Sequence, residues 1–403
     1  MIICIAGKNN IAVNILLYLL DIGIDKDNIY IIPNKTDEGS DNWQRSLLKL
    51  AKGLKIKVVT LEEVYKIENL LFLSLEFDKI IKPNKFKTDK LFNIHFSLLP
   101  RYKGMFTSIM PILNNEKYTG VTFHKIDSGI DTGDIITQKK FRIKKNDNSR
   151  DLYFKYIKYG TKLVKQMLLN ILDKKFLKLK KQNNTLSSYF SKSTLDFSNI
   201  QIDLNQTAIN IHNQIRAFNF REYQVAKVFD NSIVSSKILN MKSNLKSGNI
   251  IFEDDICFVI SSVDYDLVLY KDRFDDLVEA CKSGDIYTVN RLLNIPKIIN
   301  TQNQNGWTPL IVAIYNNQVE IVKTLLVNGA NINITNFKGT TSLMYAKSAY
   351  EIYKDDRIIS LLLNFGIDIY KQDYINKNVL DYCKENNEYE VLAKINKKNI
   401  GDI

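Results

Sequence analysis

The sequence predicts an α/β protein with a helical tail, and three observations lead there. Short apolar runs alternate with amphipathic stretches through the first 180 residues. The middle turns to brief alternating runs separated by turn residues, and the remainder repeats with a step of 33. The chain of 403 residues is long enough for three parts. These are an α/β domain with a mostly parallel sheet over 1–180, a small β-rich second domain over 181–270, and an all-α module of about four repeats over 271–403.

The elements follow in order. IICIAG is a strand that ends at glycine, and IAVNILLYLLDIG then has helical apolar spacing and stops at a second glycine. NIYIIPN and IKVVT are strands, LEEVYKI is a short helix, and NLLFLSL is a fourth strand. Strand and helix in series argue for parallel neighbours joined by crossovers. KLFNIHF and YTGVTFHKID are further strands, and RDLYFKYIKYGTKLVKQMLLNIL is a long amphipathic helix that closes the unit near residue 173. Beyond it TLSSYFSK, IQIDLN, QVAKVFDNSIV, GNIIFEDDICFVIS and DYDLVLY read as short strands, interrupted by one helix, QTAINIHNQIRAF.

The tail aligns on itself. Leu277, Leu310 and Leu343 are each 33 residues apart, with Ala280, Ala313 and Ala346 three residues on, and Leu293 and Leu326 share the step. A further copy places Leu380 and Cys383 after a step of 37, so four extra residues lie near SAYEIYKDD. Gly306-Trp307-Thr308-Pro309-Leu310 is a turn followed by a helix start: Thr308 can cap the helix and Pro309 suits its first turn. Gly329 and Gly366 fall where a second helix must stop. This pattern resembles ankyrin repeats, in which neighbouring copies bury a continuous core. The usual histidine of that motif is Ile311 here, so one buried hydrogen bond of the standard repeat is lost.

Composition narrows the function. No apolar run reaches the roughly 18 residues of a membrane span. Met1 leads directly into a strand without the charge pattern of a signal peptide, so a cytoplasmic protein with no membrane partner is expected. Cys4, Cys257, Cys281 and Cys383 lack metal-ligand spacing, so no metal is expected, and their scatter fits a reducing compartment. The formal charge is +12, but lysine, asparagine and isoleucine are spread evenly, as in an AT-biased genome, and no basic block stands out. Nucleic acid is therefore not an expected partner, whereas a positive field suits a small anionic substrate. AGKNNIA has one glycine where a dinucleotide fingerprint needs three, so no nicotinamide or ATP site is expected. Lys8 and Asn9 still lie at the carboxyl edge of the first strand, where open parallel sheets bind ligands.

The chemistry begins at NIHFSLLP, residues 93–100. On a strand, Asn93, His95 and Ser97 share one face, and Ile94 and Phe96 share the other. Buried polar groups without partners cost about 2–7 kcal/mol, so these must bond each other or a ligand. Thirty-six residues after His95 comes Asp131, within DSGIDTGD, where Asp127 and Asp134 also lie among glycines that allow tight turns. An aspartate beside a histidine fixes its tautomer, and an asparagine amide can donate to a carbonyl oxygen that becomes anionic. The set suits acyl transfer without a protein nucleophile, so the attacking group would be an amine on the substrate. His124 reads as structural or supporting, and His212 as surface or packing.

Asn-x-His-x-Ser-Leu-Leu-Pro followed by Asp-x-Gly-x-Asp-Thr-Gly resembles the formyltransferases that use 10-formyltetrahydrofolate. These include glycinamide ribonucleotide and methionyl-tRNA formyltransferases and the sugar-nucleotide N-formyltransferases. The resemblance implies a Rossmann-like catalytic domain and catalytic roles for Asn93, His95 and Asp131, with His95 taking or relaying the amine's proton. It also implies a pterin held between the stretch containing Phe77 and Lys79 and the loop of Ile126, Asp127, Gly129 and Ile130. YFSKS, IDL and IRAFNFREY are similar to the second domain of bacterial enzymes that formylate dTDP-linked dideoxy amino sugars, some of which carry an ankyrin module. Formylation of a dTDP-amino-3,6-dideoxyhexose for O-antigen or other surface polysaccharide, with C-3 favoured, and a homodimer are thus implied. One departure is Lys103, where an arginine more often precedes the glycine.

Substrate contacts follow from chemistry. Lys8, Arg101 and Arg150 are candidates for the diphosphate, with Tyr159 as a hydroxyl partner. Asn219, Arg221 and Tyr223 lie where the related enzymes receive the nucleotide, Tyr223 offering a ring to stack on thymine, and Glu76 could meet the cationic amine. The ankyrin module would bind a protein or a second small molecule, with Trp307 as a possible stacking residue near Tyr315, Phe337 and Tyr345. Two alternatives remain open: a methionyl-tRNA formyltransferase-like enzyme and a non-catalytic ankyrin interaction protein. The first needs a basic second domain, yet IQIDLN and GNIIFEDDICFVIS are not basic, and the intact Asn–His–Asp set argues against the second.

Overall fold

The computed structural model describes residues 1–175 and 177–399 and divides into two compact units. The first comprises Met1–Glu253 and Phe258–Leu269; the second comprises Asp254–Cys257 and Tyr270–Ile403.

In the first unit the chain runs β1 (Ile2–Gly7), α1 (Asn9–Asp21), β2 (Ile29–Pro33), α2 (Leu47–Leu54), β3 (Lys57–Val58), α3 (Leu61–Val64), β4 (Leu70–Leu75) and β5 (Leu91–His95). Then come β6 (Lys103–Gly104), α4 (Met110–Leu113), β7 (Tyr118–Lys125), β8 (Ile135–Arg142) and α5 (Ser149–Leu172). The seven-stranded sheet has the order β3-β2-β1-β4-β5-β7-β8. Its first five strands are parallel, and β7 and β8 add antiparallel at the end. Both faces are covered: Ile3 and Ile5 of β1 join one core with α1 and α5, while Cys4 and Ala6 join another with Val64 and Phe72. That double burial explains why the inner strands are apolar without alternation. From β1 the chain first builds outward through β2 and β3, then returns to lay β4 on the other side of β1. A crevice opens at such a reversal, beyond the carboxyl ends of the strands.

The register decides which polar groups meet. Asn93 lies opposite Ser74 of β4 and opposite His124 of β7, and His95 lies opposite Thr122. Side chains directly across an antiparallel pair share a face, so Asn93, His95 and His124 form one polar patch on the sheet. The β7–β8 register shifts between Phe123 and His124, a bulge that re-aims the strand end. The strand β8 and the helix α2 were not read from the sequence.

The chain continues with β9 (Tyr189–Phe190), α6 (Ala208–Ala217), β10 (Ala226–Val228), β11 (Asn231–Ile238), β12 (Ile250–Glu253), β13 (Cys257–Ile260) and β14 (Leu267–Lys271). The last five strands form one sheet in the order β10-β11-β14-β13-β12, while β9 pairs with β6. IQIDLN, expected as a strand, is extended chain without a ladder: Asp203 N instead donates to Gln214 Oε1 at 2.9 Å. Alternation there reflects packing of Ile202 and Leu204 on the core rather than pairing.

The second unit holds four helix pairs: α7 (Phe274–Ser283) with α8 (Ile286–Leu292), α9 (Pro309–Tyr315) with α10 (Val319–Val327), α11 (Ser342–Tyr353) with α12 (Arg357–Asn364), and α13 (Val379–Glu385) with α14 (Tyr389–Asn399). Leu277, Leu310 and Leu343 are each at most 1% exposed and form its repeated core. Thr308 caps α9 by accepting from Ile311 N at 3.3 Å. The extra residues lengthen α11 to 12 residues against 7 in α9. Ile311 is buried, and Gln302 Nε2 ties consecutive turns by donating to the carbonyls of Gly306 (2.9 Å) and Thr335 (3.0 Å).

Candidate active site

A hollow of about 600 Å³ opens where β1, β4, β5 and β7 end. Asn93, His95, His124 and Asp131 line its polar side; Phe77, Ile80, Met105, Ile126 and Ile130 give it apolar walls. Ile80 and Ile130 are 67% and 41% exposed, an arrangement that suits a flat aromatic ligand. Lys79, Asp127 and Gly129 lie on the same rim.

The polar side is a connected cluster. Gly104 N–H donates to Asp131 Oδ2 at 2.9 Å, and His95 Nδ1 lies 3.4 Å from the same oxygen. Asn93 Nδ2 donates to Asp131 Oδ1 at 3.3 Å and sits 3.0 Å from His124 Nε2. His124 Nδ1 is 2.7 Å from the Lys125 carbonyl, so Nδ1 carries the hydrogen and Nε2 accepts from Asn93. His95 Nε2 is 2.7 Å from the Tyr102 carbonyl and must donate to it. Nδ1 is the nitrogen left to accept, and it faces Asp131. Burial resists ionisation of Asp131, but His95, His124 and the Gly104 N–H outweigh it and hold the carboxyl well below the usual carboxylate range.

The loop carrying Asp131 is clamped. Gln182 Nε2 donates to the carbonyls of Asp131 and Gly133, both at 2.8 Å. Asp131 itself is left-handed, φ +55°. A Cβ on Gly133 would lie 1.9 Å from the Lys125 carbonyl oxygen, so only glycine lets the loop lie this close to the strand end. Asp127 Oδ1 builds the turn by accepting from Gly129 N (3.2 Å) and Thr132 Oγ1 (2.6 Å).

Glu76 follows β4 at φ +57°, half-buried on the hollow's edge. Tyr153 Oη donates to it at 2.8 Å, and Asn9 Nδ2 at 3.4 Å. Burial pushes its carboxyl up to about 7 against the lowering effects of Tyr153, Lys8 and Asn9. The fold thus makes Glu76 a held carboxylate rather than an exposed loop one. Lys8 lines this hollow and also a second one of about 250 Å³, where it joins Asn9, Asp37, Trp43, Arg45 and Tyr223. Trp43 packs its ring against Tyr153, Phe154, Phe220 and Tyr223 at 5.4–6.1 Å between centroids.

Several expected substrate contacts lie elsewhere. Arg101 is ion-paired to Glu116 and lies over the Tyr102 ring. Arg150 is bound to Glu222 through Nε at 2.8 and 2.9 Å. Tyr159 stacks on Phe141 in the core. Asn219 is buried, and its amide donates to the Val234 carbonyl. Arg221 lines neither hollow. Arg101 and Arg150 met carboxylates, Asn219 a backbone carbonyl and Tyr159 a ring, partners that spacing along the chain cannot reveal. Conversely, Tyr153, Trp43 and Gln182 were missed as contributors; a tryptophan in the polar loop DNWQRS was the one local signal. In the second unit Trp307 forms a ring cluster with Tyr315 and Tyr345, both at 5.3 Å, and Asn336 Nδ2 donates to Tyr345 Oη at 2.8 Å. Among the described residues no group of His, Cys, Asp or Glu could hold a metal ion, and no helix is long and apolar enough to cross a membrane.

An amide, an imidazole and a carboxylate thus meet at the sheet mouth, a set whose chemistry suits acyl transfer. The formyl transferase family model matches residues 71–168, and a model of three ankyrin repeats matches 277–373. The crystal structure of the N-formyltransferase from Helicobacter canadensis, in complex with folinic acid and dTDP-3-aminofucose, is 49% identical with a TM-score of 0.64. The match covers 68% of this chain and 100% of that one. WlaRD, a sugar 3N-formyltransferase solved with dTDP and 5-N-formyl-THF, is 50% identical with a TM-score of 0.64, covering 67% and 97%. Methionyl-tRNA formyltransferase of Fervidobacterium nodosum is 35% identical over 129 residues, 32% of this chain, and the chain spans only 40% of that protein. This chain therefore belongs to the N-formyltransferase family, and it carries ankyrin repeats besides.

Proposed function

We propose that this enzyme transfers the formyl group of 10-formyltetrahydrofolate to the C-3 amino group of a dTDP-linked amino-3,6-dideoxyhexose. The observation that carries this reading is the convergence of Asn93, His95 and Asp131 on one hollow with apolar walls. The pterin lies between Phe77 and the Ile126–Ile130 loop. The formyl oxygen displaces one partner of the Asn93 amide and draws its charge onto that donor. Asp131, ionised and fixed by Gly104 N–H, holds the His95 ring and directs a proton to the folate nitrogen as it leaves. The second hollow takes the nucleotide: Tyr223 and Trp43 offer rings to the thymine, and Lys8 meets the diphosphate between the two hollows.

The C-3 position is favoured because both similar structures, at 49% and 50% identity, are described with 3-amino or 3-N chemistry. The product would enter O-antigen or other surface polysaccharide, the enzyme would act in the cytoplasm as a homodimer, and the repeats would bind a partner protein or a second small molecule near Trp307. The test is mass spectrometry of 3-amino and 4-amino dTDP-sugars, with initiator methionyl-tRNA alongside, incubated with the enzyme and formyl-folate. A gain of one formyl group on the 3-amino sugar is expected. Formylation of the tRNA alone would overturn the reading.

A further inference from the structure

His95 gives its Nε2 hydrogen to the Tyr102 carbonyl, and its Nδ1 lies 3.4 Å from Asp131 Oδ2. Yet a sugar amine near neutral pH arrives protonated and cannot attack until it loses a proton. A second held carboxylate, Glu76, lines the same hollow. Glu76 follows β4 in a left-handed conformation, φ +57°, that a glutamate adopts only when its surroundings impose it. Three neighbours hold it there. Asn34 Nδ2 donates to the Glu76 carbonyl at 2.8 Å; Tyr153 Oη donates to both carboxyl oxygens, at 3.0 and 2.8 Å; and Asn9 Nδ2 adds a third at 3.4 Å while itself donating to Tyr153.

Resting on the substrate reading above, we propose that Glu76 is the group that deprotonates the sugar ammonium, with Tyr153 and Asn9 as its positioning residues. The balance is simple. The ammonium gives one proton to the Glu76 carboxylate, and the freed lone pair forms the bond to the formyl carbon. When the bond from that carbon to the folate nitrogen breaks, the nitrogen keeps the electron pair and takes a second proton. The third proton of the ammonium stays on the amide product, and Glu76 releases its own to water. A carboxyl pushed up to about 7 by burial is poised for this exchange. The charged and titratable groups around it are Lys8 from the end of β1, Tyr153 from α5, Tyr223 beyond α6, and Asp78 and Lys79 on its own loop.

The test is the pH profile of kcat/KM for the full chain with dTDP-3-aminofucose and formyl-folate. Wild type is expected to rise through a limb near 7. Glu76→Gln should lose that limb, with a deficit of about 100-fold in mild acid that shrinks to a few-fold as the free amine deprotonates in alkali. Tyr153→Phe removes a bond that favours ionised Glu76, so its limb should move to higher pH. Glu76→Asp, with a shorter reach, should keep the limb at a lower rate. Equal loss for Glu76→Gln at every pH, in a variant that melts like wild type, would reduce Glu76 to a structural role and overturn the inference. If wild type formylates no dTDP-amino sugar, the substrate reading fails first and takes this inference with it; an active wild type whose limb survives in Glu76→Gln sinks Glu76 alone.

Discussion

The sheet mouth and the helical repeats handle awkward backbone in opposite ways. In the repeats, left-handed residues at turns are often glycine, as at Gly306, Gly329, Gly339 and Gly366, or asparagine, as at Asn317, Asn376 and Asn387. These residue types tolerate that conformation at little cost. At the sheet mouth the same conformation falls on Glu76, Tyr102, Phe106 and Asp131. Two of these are carboxylates that line the hollow, and a third offers its carbonyl to His95. The difference shows where the fold spends stability: apart from Lys297 and Lys354, the repeats give these positions to residue types that favour them, while the sheet mouth holds Glu76 and Asp131 on the hollow against local preference.

Substitutions can break or sharpen this contrast. The largest effect is expected at His95→Asn, which should lower kcat by about 10²–10⁴-fold with melting unchanged; near-normal turnover from a folded variant would remove the sheet mouth from the chemistry. Next is Leu343→Ala in the repeat core, fully buried, which should cost about 2–5 kcal/mol in denaturant unfolding of the second unit. Formyl transfer per folded molecule should stay constant, and a parallel loss of kcat would mean the regions are not separable in function.

The Glu76 carboxyl gives a smaller effect with a definite sign. Its value in the fold, about 7, lies above the ordinary 4.5, so between those values the folded protein binds more protons than the unfolded chain. Stability contributed by the neutral form is complete below about 4.5 and is lost as pH rises through 7. Glu76→Gln, which cannot ionise, should therefore match wild type in acid and exceed it at mildly alkaline pH by on the order of 1 kcal/mol, after allowance for water access. Thermal melts at the two pH values read this directly. The smallest effect is expected for Gln182→Ala, which frees the carbonyls of Asp131 and Gly133. Loss of one or two such bonds is about 1 kcal/mol, so kcat should fall by about 3- to 10-fold, and an unchanged kcat would mean the loop holds Asp131 without the clamp.

Much of the molecule is legible along the chain because its signals are local. The 33-residue step, the Thr308 cap and the alternation at Asn93 and His95 each depend on neighbours a few residues away or on a fixed period. The motif around Asp131 is equally local, and with NIHFSLLP it carries the resemblance that implies roles for Asn93, His95 and Asp131. The lysine-rich strand β8 hid its pattern, because its middle residues face solvent. IQIDLN had the pattern and no partner strand.

What the sequence alone determined is the set of repeating or alternating patterns that any backbone of this period must place on one face. What only the tertiary structure decided is which distant groups meet: Arg150 with Glu222, Trp43 with Tyr223, and Glu76 with Tyr153 across 77 residues. The physical reason is that a strand or helix fixes the direction of its own side chains. Charge pairing and burial of a particular carboxylate depend on strand order and register, which are set by the packing of the whole core.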